Sequence, residues 1–134
     1  MTVLVGYLPT PAGEAAFTAG LQEARRRSEP LVVVNTARSG APVSVEVAPD
    51  DAVQQMTQRA AAEGVSLDLR QTSHDGDAAD EVLRTAQEVD ASVIVIGLRR
   101  RSPVGKLLMG SSAQRILLDA DRPVLAVKPH PTAG

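Results

Sequence analysis

Three short runs of branched aliphatic residues constrain this chain more than any other feature: Val3-Leu4-Val5-Gly6, Leu31-Val32-Val33-Val34 and Val93-Ile94-Val95-Ile96. Each is apolar at odd and even positions alike. A strand with no polar side has to bury both faces of its sheet, and such strands belong to parallel sheets covered on both sides by helices. The intervening segments supply those helices. Residues 14–27 carry a stripe of small residues, Ala16, Gly20 and Ala24, and residues 51–63 place Val53, Met56 and Ala60 on one face, with Asp50 as candidate N-cap. Residues 77–89 hold Ala79, Val82, Leu83 and Ala86 at helical spacing, and residues 112–120 hold Ala113, Ile116, Leu117 and Ala120.

Two weaker strands complete the pattern. Residues 65–70 alternate strictly, with Asp68 and Arg70 on one side, as a half-exposed edge strand does. Val124, Leu125, Ala126 and Val127 form the last apolar run. Residues 36–48, with Gly40, Pro42 and the Val43/Val45/Val47 alternation, read as a loop or short extended segment. The expected architecture is a single α/β domain over residues 1–128, followed by a C-terminal tail, 129–134. Its open parallel sheet has five strands in the order 3-2-1-4-5, with helices on both faces. In that order the last strand is an edge with no charge on either face. Such an edge invites pairing, so a second copy of the chain is expected to cover it; the plainer alternative is that the tail folds over it.

Composition narrows the class of partner. Fourteen Lys and Arg against sixteen Asp and Glu give a net charge of −2, which argues against bulk electrostatic binding to nucleic acid or an anionic membrane. One Tyr, one Phe and no Trp cannot build the stacking platforms that single-stranded nucleic acid needs. With no cysteine, disulfides, thiolate catalysis and cysteine-ligated zinc are excluded. Met1-Thr2 leads directly into an apolar strand rather than a signal peptide, and no apolar run approaches a membrane span, so the expected location is cytoplasmic.

In an open sheet of this order, ligands bind beyond the carboxyl ends of the strands where the order reverses, here between the first and fourth strands. That places Tyr7-Leu8-Pro9-Thr10 and the loop after Gly97 around a crevice, with Asn35-Thr36-Ala37 as one wall. The loop, Gly97-Leu98-Arg99-Arg100-Arg101-Ser102-Pro103-Val104-Gly105-Lys106, carries four cations and leads to the small-residue helix start Gly110-Ser111-Ser112. Unpaired N–H groups and the helix dipole make such a start a phosphate cradle. Arg99, Arg100, Arg101 and Lys106 are candidate phosphate contacts; the plainer reading is a solvated loop. Gly97 reads as a tight turn close to a ligand, or as a plain turn glycine. For the serines the alternative to a ligand role is capping their own helix.

These residues resemble the universal stress protein family over nearly the whole chain. Nucleotide-binding members of that family carry Gly, two residues, Gly, nine residues, Gly, then Ser or Thr. Gly97, Arg100 and Gly110-Ser111 keep that spacing, with Arg100 in place of the middle glycine. Supporting matches are Gly76-Asp77-Ala78-Ala79-Asp80-Glu81-Val82-Leu83, Val89-Asp90-Ala91-Ser92-Val93-Ile94-Val95-Ile96-Gly97 and Arg122-Pro123-Val124-Leu125-Ala126-Val127. The resemblance implies a Rossmann-like fold of the adenine nucleotide alpha hydrolase type, a homodimer through the last strand, a role in stress physiology with a protein partner, and binding of ATP or another adenine nucleotide. It carries a cofactor-binding set onto Tyr7, Leu8, Pro9, Thr36, Ile96, Gly97, Leu98, Arg100, Gly110, Ser111, Ser112 and Ala113, with Thr36 where the family contacts adenine. Family members that bind ATP place an aspartate just after the first strand. Here Leu8 fills that slot, and it can neither accept from a ribose hydroxyl nor support Mg.

The remaining motifs are bland. His74-Asp75-Gly76-Asp77 has metal-ligand residue types but reads as a turn followed by an N-capping Asp77. Tyr7 reads as a core residue before a cleft wall. Lys128-Pro129 resembles the end of a phospho-receiver domain, yet the acidic pair and the aspartate such a domain needs are absent. No triad, carboxylate pair or metal cluster points to catalysis. Three functions stay open: a regulatory adenine-nucleotide binder, a protein-interaction module that binds no nucleotide and docks through its basic loop, and, third in order, a slow ATPase, for which the sequence offers no identifiable base or metal ligand.

Overall fold

The computed structural model describes residues 1–39, 47–100, 107–108 and 110–129. Its elements, in chain order, are β1 (Thr2–Gly6), α1 (Pro11–Arg27), β2 (Leu31–Arg38), α2 (Asp50–Ala62), β3 (Leu67–His74), α3 (Ala78–Glu88), β4 (Ala91–Gly97), β5 (Arg99–Arg100), β6 (Leu107–Leu108), α4 (Ser111–Asp119) and β7 (Val124–Val127). Five strands form a parallel sheet in the order β3-β2-β1-β4-β7, which is the expected 3-2-1-4-5 arrangement. The all-apolar strands β2, β1 and β4 occupy its centre, and the polar β3 an edge.

Residue parity sorts the core into two halves. Val3, Val5, Tyr7, Leu31, Val33, Val93 and Val95 pack with Phe17, Leu21 and Ala24 of α1 and Met56 and Ala60 of α2. Leu4, Val32, Val34, Ile94 and Ile96 pack with Ala79, Val82 and Ala86 of α3 and Ile116 of α4. Side chains alternate across a strand, so each apolar run feeds both halves. Gly20 of α1 lets that helix lie close: a Cβ there would sit 2.2 Å from Val5 Cγ2.

Several element limits differ from the sequence expectation. Helix α1 starts at Pro11 instead of residue 14, because the Thr10 hydroxyl accepts from the Gly13 N–H and proline suits the first helical position. Asp50 is not a cap: Pro49 holds the N-cap position of α2 and Asp50 begins the helix. Asp77 caps α3 as expected, accepting from the Ala79 N–H at 3.0 Å. His74 is the last residue of β3, not part of a turn, and β2 continues through Asn35, Thr36 and Ala37 to Arg38. The antiparallel pair β5–β6, Arg99 with Leu108 and Arg100 with Leu107, is absent from the sequence reading. Leu117, expected on the buried stripe of the last helix, is exposed, as is Leu118. Of the segment read as a loop, residues 40–46 lie outside the described residues, as do 130–134 of the tail.

Candidate functional site

A cleft opens at the carboxyl ends of β1 and β4, where the strand order reverses. It encloses about 770 Å³ of empty space, open solvent at its mouth included. The sheet contributes Gly6, Val34, Thr36, Ile96 and Gly97, and the turn after β1 contributes Tyr7 and Leu8. Helix α3 adds Ala78 and Val82, the start of α4 adds Gly110, Ser112, Ala113 and Ile116, and Arg99 of β5 stands beside them. Apart from Tyr7 and Gly97, the lining residues from the five-stranded sheet and the turn after β1 belong to the even-numbered set, the set whose side chains face α3 and α4.

Positive potential collects at one corner. Gly110 is the N-cap of α4 and no side chain among the described residues caps the helix, so its first-turn N–H groups face outward at the positive end of the helix dipole. Arg99 brings its guanidinium to the same corner: a Cβ on Gly110 would lie 3.2 Å from Arg99 Nη2. A backbone donor array next to a guanidinium is chemistry suited to an anion.

The two helix starts beside the cleft are tied together. The Ser112 hydroxyl donates to Asp77 Oδ1 at 2.6 Å, and Arg115 Nη1 reaches Asp77 Oδ2 at 3.5 Å and also pairs with Asp80. The Ser112 hydroxyl, the Ala79 N–H and Arg115 together hold the Asp77 carboxyl below its ordinary value. Asp77 thus caps α3 and anchors α4, which fixes the distance between two cleft walls.

The opposite side of the strand ends is closed. Tyr7, 2% exposed, donates its hydroxyl to the Glu14 carboxylate. Burial, with Glu14 beside it, pushes the phenol above its ordinary value, so it stays a donor. Asn35 Nδ2 donates to the Tyr7 carbonyl at 3.1 Å, and Asn35 Oδ1 accepts from the Ala48 N–H at 2.8 Å. Gln71 Nε2 donates to Asn35 Oδ1 and to the Ala48 carbonyl.

The structure gathers Tyr7, Leu8, Thr36, Ile96, Gly97, Arg99, Gly110, Ser112 and Ala113 of the sequence-predicted set around the cleft. Pro9, Leu98 and Ser111 do not line it; Leu98 instead gives its N–H to the Val127 carbonyl. The Arg100 backbone pairs with Leu107, and its side chain lies outside what the structure describes. Arg101 and Lys106 lie outside the described residues altogether.

Two residue readings are corrected. Gly97 is neither a turn glycine nor one left small only for a ligand: a Cβ there would lie 2.1 Å from the Ala12 carbonyl oxygen, so the start of α1 excludes any side chain. Neither serine is the N-cap of α4: Gly110 holds that position, both serines lie inside the helix, and Ser112 gives its hydroxyl to Asp77. The sequence reading missed Gly6, Val34, Ala78, Val82 and Ile116 as cleft residues. Val82 and Ile116 were legible as apolar stripe residues, but a stripe does not say where the core ends and a cleft begins. Among the described residues no group of three His, Asp or Glu could hold a metal ion, and no helix is long and apolar enough to cross a membrane.

The fold agrees with comparisons to known proteins. The model of the Universal stress protein family matches residues 1–128. A universal stress protein of Mycolicibacterium smegmatis is 43% identical over 128 residues, covering 96% of this chain and 98% of that protein. The structure of a universal stress protein from Archaeoglobus fulgidus superposes with a TM-score of 0.76 at 29% identity, covering 96% of this chain and 98% of the other. A universal stress protein from the same organism in complex with dAMP superposes with a TM-score of 0.69 at 24% identity, again covering 96% and 98%. The chain belongs to the universal stress protein family.

Proposed function

We propose that this protein is a regulatory binder of adenine nucleotides, ATP or a close relative, held in the cleft between β1 and β4. The observation that carries the reading is the convergence of the uncapped α4 N-terminus and Arg99 at one corner of a cleft that is otherwise mainly apolar. A nucleotide needs that combination: donors for phosphate and an apolar slot for the heterocycle. The dAMP complex of the Archaeoglobus relative supports it. Leu8 offers the sugar no acceptor and a cation no ligand, so the nucleotide binds without depending on Mg.

The proposed mechanism is regulatory and not catalytic. Bound phosphate holds the segment from Gly97 to Gly110 in one arrangement, and a protein partner reads that surface. The acting unit is a cytoplasmic homodimer paired through Val124, Leu125, Ala126 and Val127, whose side chains are only half-buried within one chain. The domain comprises residues 1–128, with 129–134 as its tail. Saturating ATP should slow hydrogen exchange of the 97–113 amides; exchange unchanged by ATP contradicts the mechanism. A stable monomer in sedimentation at micromolar concentration contradicts the dimer. Leu8, apolar at the mouth of the cleft, favours the second reading, an interaction module that takes no nucleotide.

A further inference from the structure

Helix α4 is nine residues long, and Ile116 is its one buried residue. Leu117 and Leu118 are exposed, and Ala113 and Ala120 are small and only partly buried. Apolar packing therefore grips α4 at its middle, and the direction in which its first turn points depends on polar ties to α3. Asp77 supplies them. Its Oδ1 accepts both from the Ala79 N–H, at 3.0 Å, and from the Ser112 hydroxyl, at 2.6 Å, while its Oδ2 faces Arg115 Nη1 at 3.5 Å. Arg115 pairs in turn with Asp80 of α3 and Asp119 of its own helix. Ser112 is the second residue of α4, and Gly110, Ser112 and Ala113 line the cleft. One carboxylate oxygen thus caps α3 and holds the very turn that presents donors to the cleft. A carboxylate near a helix N-terminus competes with an anionic ligand for its positive potential; the Arg115 guanidinium offsets that charge.

We infer that Asp77 is a positioning residue for the anion corner: acting through Ser112, it fixes the first-turn N–H groups of α4 toward the ligand's phosphate, and so sets phosphate affinity without touching the ligand. A donor array is worth most when it is ordered before the ligand arrives, because ordering it on binding subtracts from affinity. The tie joins two helix starts and leaves the sheet residues of the cleft in place, so its effect belongs to the phosphate end of the ligand alone. This inference rests on the proposed function and adds to it the device that holds the corner.

The test cuts the tie from each side. Asp77→Ser keeps a good N-cap on α3, but its side chain is one bond shorter and draws back from Ser112. Asp77→Asn keeps an Oδ1 for both bonds and loses the charge. Ser112→Ala, alone and combined with Asp77→Ser, closes a double-mutant cycle. ATP and adenosine are titrated against each protein by the chemical-shift changes of its cleft amides, and each ligand-free protein is melted to establish that it is folded. Asp77→Ser should weaken ATP binding roughly tenfold, the worth of one good hydrogen bond. Ser112→Ala should weaken it to the same extent and the double variant no further. Adenosine binding should be unchanged throughout, and Asp77→Asn should bind ATP at least as tightly as the parent. An Asp77→Ser protein that binds ATP as the parent does overturns the inference alone. Equal losses for ATP and adenosine show a cleft loosened as a whole and overturn it too. A double variant whose loss is the product of the two single losses overturns the route through Ser112. A parent protein that binds neither ATP nor adenosine overturns the proposed function as well.

Discussion

Two adjacent register pairs at the ends of β2 and β3 differ in almost everything but position. Asn35 and Gln71 face α1 and α2, and their amides bond to one another and to the backbone of Tyr7 and Ala48. Thr36 and Thr72, one residue further along each strand, face α3, and neither hydroxyl has a hydrogen-bond partner among the described residues. The backbone and the strand pairing are nearly the same, and Asn35 and Thr36 are both buried, while Gln71 is exposed and Thr72 half-buried. What differs is the neighbour across the face: a closed hydrogen-bonded layer on one side and a cleft on the other. Polar residues that close a layer contribute stability, whereas Thr36 lines a cleft instead. Among the described residues, one sheet edge thus separates bonded from unbonded polar side chains by residue parity.

Breaking the closed face should cost most. Asn35→Ala removes the acceptor of the Ala48 N–H and the donor to the Tyr7 carbonyl, leaving buried backbone groups unpaired. A loss of about 3 kcal/mol is expected in urea denaturation. Gly97→Ala comes next. Its Cβ would meet the Ala12 carbonyl at 2.1 Å, and pushing α1 away should cost about 2 kcal/mol, read the same way.

On the cleft side, effects on stability should be smaller and effects on binding larger. Ser112→Ala removes the largest cause of the low Asp77 pKa and a tie between α3 and α4, for about 1 kcal/mol at neutral pH. The sign of its pH dependence follows from that direction. A carboxyl with a depressed folded-state pKa stabilises fully above its unfolded value of about 3.9 and loses that contribution as pH falls through the folded value. With Ser112→Ala, Asp77 should therefore titrate at a higher pH in NMR, and the stability it contributes should be lost earlier on acidification. Thr36→Val should be the smallest change of all in stability, near zero or slightly favourable. A large loss there would erase the contrast between the two faces.

Most of the fold was legible because hydrophobic pattern and strand position are the same physics. Runs such as Leu31–Val34 can only sit inside a covered sheet, and the charges of Asp68 and Arg70 belong at an edge. Strand ends were not legible. β2 and β3 run on through Asn35, Thr36, Gln71 and Thr72 because backbone pairing continues where apolar side chains stop. The β5–β6 pair escaped because a two-residue ladder leaves no periodic trace.

The candidate site was legible as a neighbourhood, since strand order alone places the crevice. Its inner detail was not. Gly97 is governed by Ala12 and Ser112 by Asp77, residues 85 and 35 positions away in the chain. No local spacing encodes either contact. Arg99 was one of four cations in a row, and only the fold shows that its guanidinium lies against Gly110.

The most direct test of nucleotide binding is calorimetric titration with ATP, with and without Mg, on the parent chain and on Gly110→Asp. The extended backbone of Gly110 accepts aspartate, a good N-cap, so the fold should hold while the carboxylate fills the anion corner beside Arg99. Micromolar binding that is indifferent to Mg and abolished by Gly110→Asp is the predicted result. No heat and no thermal stabilisation of the parent at millimolar ATP would contradict the account and leave the cleft without a nucleotide.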